Sequence, residues 1–306
     1  MQTRLRLIGA VAATLFILAG SGAARAADSM PGRVTGVDTQ AHTVTIRTDA
    51  GKTWTLSAQA AQQAVGQNLE LGDLLTVTGD PTAAGSALSI RTVQLGRWQK
   101  LVPLAVSAIA LIVLASVAAG WRPLSFMIGA DNRVSNSQVQ VVLWFGVTMT
   151  VYLATWMLRF YASNWQLCSG IGIPPNLLAM TGLSGLTFAG AKMIAVTKNN
   201  GEPPAAVGSA AAATPGARKR AADSTNWRTD LFKNDQGKLD FGDFQMMLIV
   251  VLAALIYIVS ADVALGSLPL QQNVSLPDVD GSLLAAFGIG QGSYLAKKAA
   301  LPAGTG

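Results

Sequence analysis

Four stretches of this chain, residues 101–120, 139–158, 176–196 and 246–266, carry at most one charge each. An apolar run of about 20 residues is long enough to cross the ~30 Å hydrocarbon core of a bilayer. Inside that core each backbone polar group must find its partner within the protein, which selects helices for runs of this kind. Composition points the same way: 12% of residues are charged and 51% are hydrophobic, against roughly 25% charged in ordinary soluble domains. The expected class is therefore an α-helical membrane bundle. A fifth stretch, 283–296, has 14 residues, a length open to a re-entrant or a crossing reading. Lys297 and Lys298 at its end can snorkel to an interface, which favours a crossing.

The spans recur as a doubled helix pair, 131–196 and 234–298. Gln140 sits at the mouth of one apolar helix and Gln245 at the mouth of another. Leu177-Leu178-Ala179-Met180-Thr181-Gly182 is echoed by Leu283-Leu284-Ala285-Ala286-Phe287-Gly288, and each copy continues to an aromatic and then a lysine (Phe188 and Lys192, Tyr294 and Lys298). Both copies open on a polar, turn-forming stretch. Asp240 and Asp243 have the spacing of an N-cap and an acidic residue in the first turn, and Ser135 or Ser137 can cap the earlier helix. The second opening has a superficial calcium-loop look, but that register puts Phe232 where the first carboxylate belongs. Gly182, Gly185, Gly288 and Gly292 are candidate packing positions, the last two at GxxxG spacing. Gln140, Gln245 and Gln291 are candidates for contact with the other copy or with a partner.

The pattern Ser137, Gln140, Trp144, then Leu-Leu-Ala, glycine, aromatic and lysine, resembles a bacterial multipass membrane family without an assigned activity. The resemblance implies a duplicated two-helix core and brings no catalytic residues with it.

Ahead of the spans the character changes. Residues 1–26 have a basic start (Arg4, Arg6), an apolar run and small residues around position 26, the three parts of a secretory signal, cleaved or retained as an anchor. Residues 30–97 alternate apolar and polar positions, rich in valine and threonine and broken by turn residues. The expected order is three strands, a short helix at 58–65 and two strands, the last over 88–93. That order resembles the OB-fold, a small five-stranded barrel. Many such barrels bind nucleic acid, yet residues 27–100 balance six basic side chains against six acidic ones and carry Trp54 as the one strand tryptophan. Neither the electrostatic footprint nor the stacking platform for nucleic acid is present. The segment also resembles periplasmic copper-carrier barrels, but Met30, His42 and Trp54 without a methionine pair make a poor soft-metal site. With one cysteine, Cys168, and one histidine, His42, neither a Cys/His metal cluster nor a nucleophile-histidine pair is assembled. No cofactor is implied.

Orientation follows from the basic residues. With 27–100 exported to the periplasm and five crossings, the C-terminus lies in the cytoplasm; twelve basic residues then fall on cytoplasmic segments and helix ends, and only Arg159 on the exported loops. That asymmetry is the positive-inside pattern of a bacterial inner-membrane protein. Both helix pairs start and finish inside, so the repeat is parallel. A linker, 199–228, built of alanine, proline and glycine and ending in Arg218-Lys219-Arg220, is too poor in core-forming residues to fold. Two functions stay open. One is a non-enzymatic scaffold or accessory subunit that presents the exported barrel to a protein partner or a second copy. The other is a small channel or transporter, with Asp262 as its candidate polar pathway and Lys192 and Lys298 as inner-face anchors.

Overall fold

The structure is a computed structural model that describes residues 29–38, 40–41, 43–56, 69–78, 87–129, 132–168, 170–200, 225–232 and 240–300. The leader, the helix expected at 58–65, His42 and most of the 199–228 linker lie outside the described residues. The chain divides into two compact units.

The first unit comprises the residues up to Ser107, Val151–Gly172 and Ala261–Leu276. Its centre is an antiparallel five-stranded sheet of β1 (Ser29–Asp38), β2 (Thr43–Thr48), β3 (Thr53–Thr55), β4 (Leu74–Thr78) and β5 (Ala87–Ile90), in the order β3-β2-β1-β4-β5. The alternation read from the sequence explains the burial: Val34, Val44, Ile46, Leu75, Val77 and Leu88 form one apolar face. A register shift between Val34 and Gly36 bulges β1 against β2.

The strand expected over 88–93 is in fact two. Arg91 interrupts it, donating its N–H to the Leu74 carbonyl (2.9 Å) and accepting at its own carbonyl from Leu270 N–H (2.8 Å). Beyond it, β6 (Thr92–Gln94) pairs with β8 (Ser267–Pro269). A second short ladder, parallel, joins β7 (Ile171–Gly172) to β9 (Val274–Ser275). These two-residue and three-residue strands have no alternation long enough to read from sequence. The segments 163–172 and 266–276 are thus held in one unit with the sheet.

Two buried charges fasten this arrangement. Asp73, 1% exposed, accepts from Glu70 N–H at 2.8 Å and from Gln272 N–H. Arg159, also 1% exposed, donates to the carbonyls of Gln271 and, at 3.1 Å, Gln272. Leu74 N–H reaches the Leu270 carbonyl (3.0 Å), and Leu74, Leu167 and Leu270 bury one another. At Gly170 (φ +80°) an added Cβ would come within 1.8 Å of the Gln272 carbonyl oxygen, so only glycine fits that crossing.

The second unit comprises Ala108–Thr150, Ile173–Ser260 and the residues from Pro277. The long helices of the chain are α1 (Arg97–Ala118), α2 (Asn136–Ala162), α3 (Pro175–Asn200), α5 (Phe241–Leu265) and α6 (Gly281–Ala300); α4 (Trp227–Asp230) is a single turn. Four of them, α1, α2, α3 over Pro175–Ile194, and α5, are long and apolar enough to cross a membrane. Helix α6 has 20 residues, six more than the apolar run that announced it, because Gly281-Ser282 and the lysine-alanine end join the helix. Its hydropathy does not place it with the other four.

Carboxylates cap the helix starts. Asp278 accepts from Leu177 N–H (3.3 Å) and Asn176 Nδ2 (3.1 Å) at the head of α3, and Asp280 accepts from Ser282 N–H (2.8 Å) at the head of α6. Helix α3 packs on α6: a Cβ at Gly190 would meet Leu295 at 3.3 Å, and one at Gly288 would meet Leu183 at 3.9 Å.

Removing the Asp73 acceptor leaves two N–H groups unpaired, each charge-assisted bond contributing about 1.5–3 kcal/mol. Asp73→Ala should therefore expose the 266–276 segment to limited proteolysis in detergent, and Gly170→Ala should do the same with a lowered melting temperature. Protection of that segment equal to wild type in both variants would contradict the fastening described here.

Candidate functional site

The face of α2 that carries Gln140, Trp144 and Thr148 repeats every four residues, so the three side chains stack along one line. All are buried: Gln140 and Trp144 are 0% exposed and Thr148 is 1%. The Trp144 ring meets Tyr257 of α5 at 6.2 Å and stands edge-on to Phe287 of α6 at 5.8 Å. On α6, Phe287, Gln291 and Tyr294 form the buried stripe. The result is a polar column inside the second unit, faced by three helices.

Its polar atoms are orphaned. Gln140 Oε1 and Nε2, Trp144 Nε1, Thr148 Oγ1, Tyr257 Oη and Gln291 Oε1 are buried with no hydrogen-bond partner among the described residues. Hydroxyls on α3 behave differently: Thr181, Ser184 and Thr187 each donate to the carbonyl four residues earlier, at 2.8–2.9 Å. That local bond makes a hydroxyl neutral to its surroundings. An amide or an indole N–H has no such escape, and an unmet polar atom in an apolar interior costs about 1–3 kcal/mol. Among the described residues the column has donors and acceptors and no carboxylate or amine, so it suits neutral polar contacts.

At one end of the unit the charges gather. Asp240 caps α5, accepting from Gly242 N–H (3.0 Å) and Asp243 N–H (3.3 Å). Lys297 of α6 bonds the Asp240 carboxylate and lies 3.2 Å from Asp243. Burial pushes the Asp240 carboxyl up, but the bond from the Lys297 ammonium and the helix N–H groups outweigh it and hold the group below the ordinary carboxylate value. Lys192 sits over the Phe188 ring and Lys298 over the Tyr294 ring, each 5.5 Å from the centroid. The two copies of the sequence pattern thus place the same cation–π pair.

Other candidates separate. Gln140 is fully buried while Gln245, its sequence counterpart, is exposed. Gly288 lies against α3, whereas a Cβ at Gly182, Gly185 or Gly292 would meet nothing within 4 Å among the described residues. Asp262 belongs to the first unit and is ion-paired at 2.9 Å with Lys100, whose ammonium also reaches the Asp262 carbonyl at 2.9 Å. Trp144, Thr148 and Tyr257 complete the column beside Gln140 and Gln291. The four-residue spacing of Gln140, Trp144 and Thr148 on α2 was visible in the sequence, and Thr148 stood out there as a polar residue in an apolar span; Tyr257, on α5, joins them only through helix packing. Among the described residues, no group of three or more His, Cys, Asp or Glu side chains is placed to hold a metal ion.

No protein-family model matches the chain, and no significant match to a curated protein or a solved structure was found. What the fold itself defines is a multi-pass helical membrane protein with an N-terminal antiparallel sheet.

The Asp240 pair gives a pH signature. A carboxyl lowered on folding contributes stability that is whole above the ordinary value, about 4, and is lost as pH falls through the lowered folded-state value. Amide exchange at Gly242 and Asp243, corrected for intrinsic rate, should stay slow at neutral pH and quicken only on acidification below about 4. In Asp240→Asn the acid-dependent step should vanish; an unchanged step there would assign it to another group.

Proposed function

We propose that this protein is a non-enzymatic scaffold or accessory subunit of a bacterial inner membrane, which presents its β-domain on the exported side for contact with a protein partner or a second copy. The observation that carries the reading is the bonding of the 266–276 segment to the sheet through Asp73 and to α2 through Arg159, with β9 of that segment paired to β7. A domain that only trailed from a flexible tether would need no buried charge at its base; one that must hold a partner in a set orientation does. The sheet order contains the Greek-key succession 4-1-2-3 with a fifth strand added, which supports the OB-like reading. The segments that share a unit with the sheet are the two that the positive-inside bias assigns to the exported side. Among the described residues both β3 and β5 are edges of the sheet, where a partner strand could add. The matched Lys192 and Lys298 pairs support the duplicated helix unit and its inner-face anchors.

A transport reading has one observation in its favour, the orphaned column of Gln140, Trp144, Thr148, Tyr257 and Gln291. Asp262 does not add to it, being tied to Lys100.

Reconstitution separates the two. In liposomes the protein should add no flux of water, ions or small neutral solutes over protein-free vesicles. Replacing a buried, unmet amide by an apolar isostere is near neutral or stabilising, so Gln140→Leu and Gln291→Leu should melt within about 1 kcal/mol of wild type or higher. A photocrosslinker at Thr53 on β3 should trap one defined species. Flux that disappears in either leucine variant would overturn the scaffold reading.

A further inference from the structure

The face of the sheet opposite its apolar core carries a row of like charges. Arg47 of β2 stands directly across from Arg33 of β1, Arg33 from Leu74 of β4, and Arg91 bonds through its N–H to the Leu74 carbonyl. Cross-strand neighbours project on the same face, and like charges set directly opposite destabilise a ladder. All three arginines are exposed, and none is ion-paired among the described residues. Leu74, the one apolar member of the row, is covered by Leu167 and Leu270.

The row does not lie on a flat surface. It lines a cleft of about 790 Å³ together with Asn164, Gln166 and Gln272, with Asp49 as an acid on its wall. At its floor is Gly72 (φ +100°): an added Cβ there would meet Gln272 Oε1 at 2.8 Å and Arg33 Nη2 at 3.4 Å. Guanidinium forks and side-chain amides give a donor-rich lining, and an arginine fork matches the planar oxygens of a phosphate two bonds at a time. Three guanidinium groups against one carboxylate leave the lining net positive, which favours a phosphate oxyanion, whether a monoester of about two negative charges or a phosphodiester of one.

Position adds to chemistry. Asn164 follows α2 by two residues, and the flanking Tyr161 and Trp165 are 55% and 60% exposed. Exposed tyrosine and tryptophan at the end of a membrane-crossing helix mark the headgroup level. We propose that this cleft is a binding site for a phosphate-type oxyanion, carried by a phospholipid headgroup or by a free phosphate species. The site stands on the sheet register and cleft lining, independently of the scaffold reading.

The full-length protein in nanodiscs decides it in two arms. In phosphatidylcholine discs, sodium pyrophosphate is titrated and followed by melting temperature and by calorimetry. In mixed discs, phosphatidylglycerol retained after extraction is counted by native mass spectrometry. Binding in either arm is expected to weaken about tenfold in Arg33→Gln, Arg47→Gln and Arg91→Gln and to be lost in the triple variant, with Arg97→Gln unchanged. A response confined to the lipid arm assigns the headgroup, and one confined to pyrophosphate assigns the free anion. Without anion, Arg33→Gln should melt at or above wild type, since it relieves the Arg33–Arg47 opposition. If the triple variant fails to melt cooperatively, the three single variants carry the decision. Absence of binding in both arms, or binding that Arg97→Gln weakens as much as Arg33→Gln does, would refute the site.

Discussion

A guanidinium that is 1% exposed must find acceptors inside the protein, and Arg159 Nη2 donates to two successive carbonyls, Gln271 and Gln272. Desolvating that charge is costly unless the bonds it makes are good ones. Once the two carbonyls are fixed, the N–H of Gln272 points at Asp73, and the following residues are placed for the β7–β9 ladder. Asp73 in turn orders the turn before β4 through Glu70 N–H. The first unit is therefore organised outward from one buried cation and one buried anion that bond the same short segment through its backbone. Loss of either leaves its own backbone partners without a bond and so loosens the segment that both hold.

The helical unit is held by different means. Its close contacts come from glycine against leucine, from aromatic edges and from carboxylate caps. The buried polar column contributes no bond that the described residues satisfy. A helix bundle in lipid gains no hydrophobic drive between its helices, so packing contacts of this sort must supply the association.

Much of the architecture could be read from the chain. Apolar runs with at most one charge each announced the four helices long enough to cross a membrane, and valine-threonine alternation announced the strands and their buried face. Asp240 with Asp243 announced the α5 cap. What escaped had a common cause: it depends on register between segments far apart. Arg33, Arg47 and Arg91 sit among equal numbers of acids in composition, and only the pairing of β1 with β2 and of Leu74 with Arg91 aligns them. The split at Arg91 came from a tertiary partner, Leu270, that no local propensity encodes. Gln140 and Gln245 look alike in the sequence, yet one faces the interior and the other does not, because helix rotation is set by neighbours. The glycines at 182, 185 and 292 show the same limit: small size says where an approach is possible, and the neighbour decides whether it occurs.

The two lysine–aromatic pairs bear on how the helical unit meets a bilayer. A free lysine near a helix end adapts to membrane thickness by extending or folding its stem. Lys192 and Lys298 each lie over a ring one turn earlier, at the same 5.5 Å, a contact worth about 0.5–1 kcal/mol at an exposed site that favours the folded-back stem. On the proposed inner-face placement, two short tethers of equal length would act as a depth gauge. In a thinner membrane such a unit has tilting or local lipid deformation as its remaining responses, each costing fractions of a kcal/mol per Å.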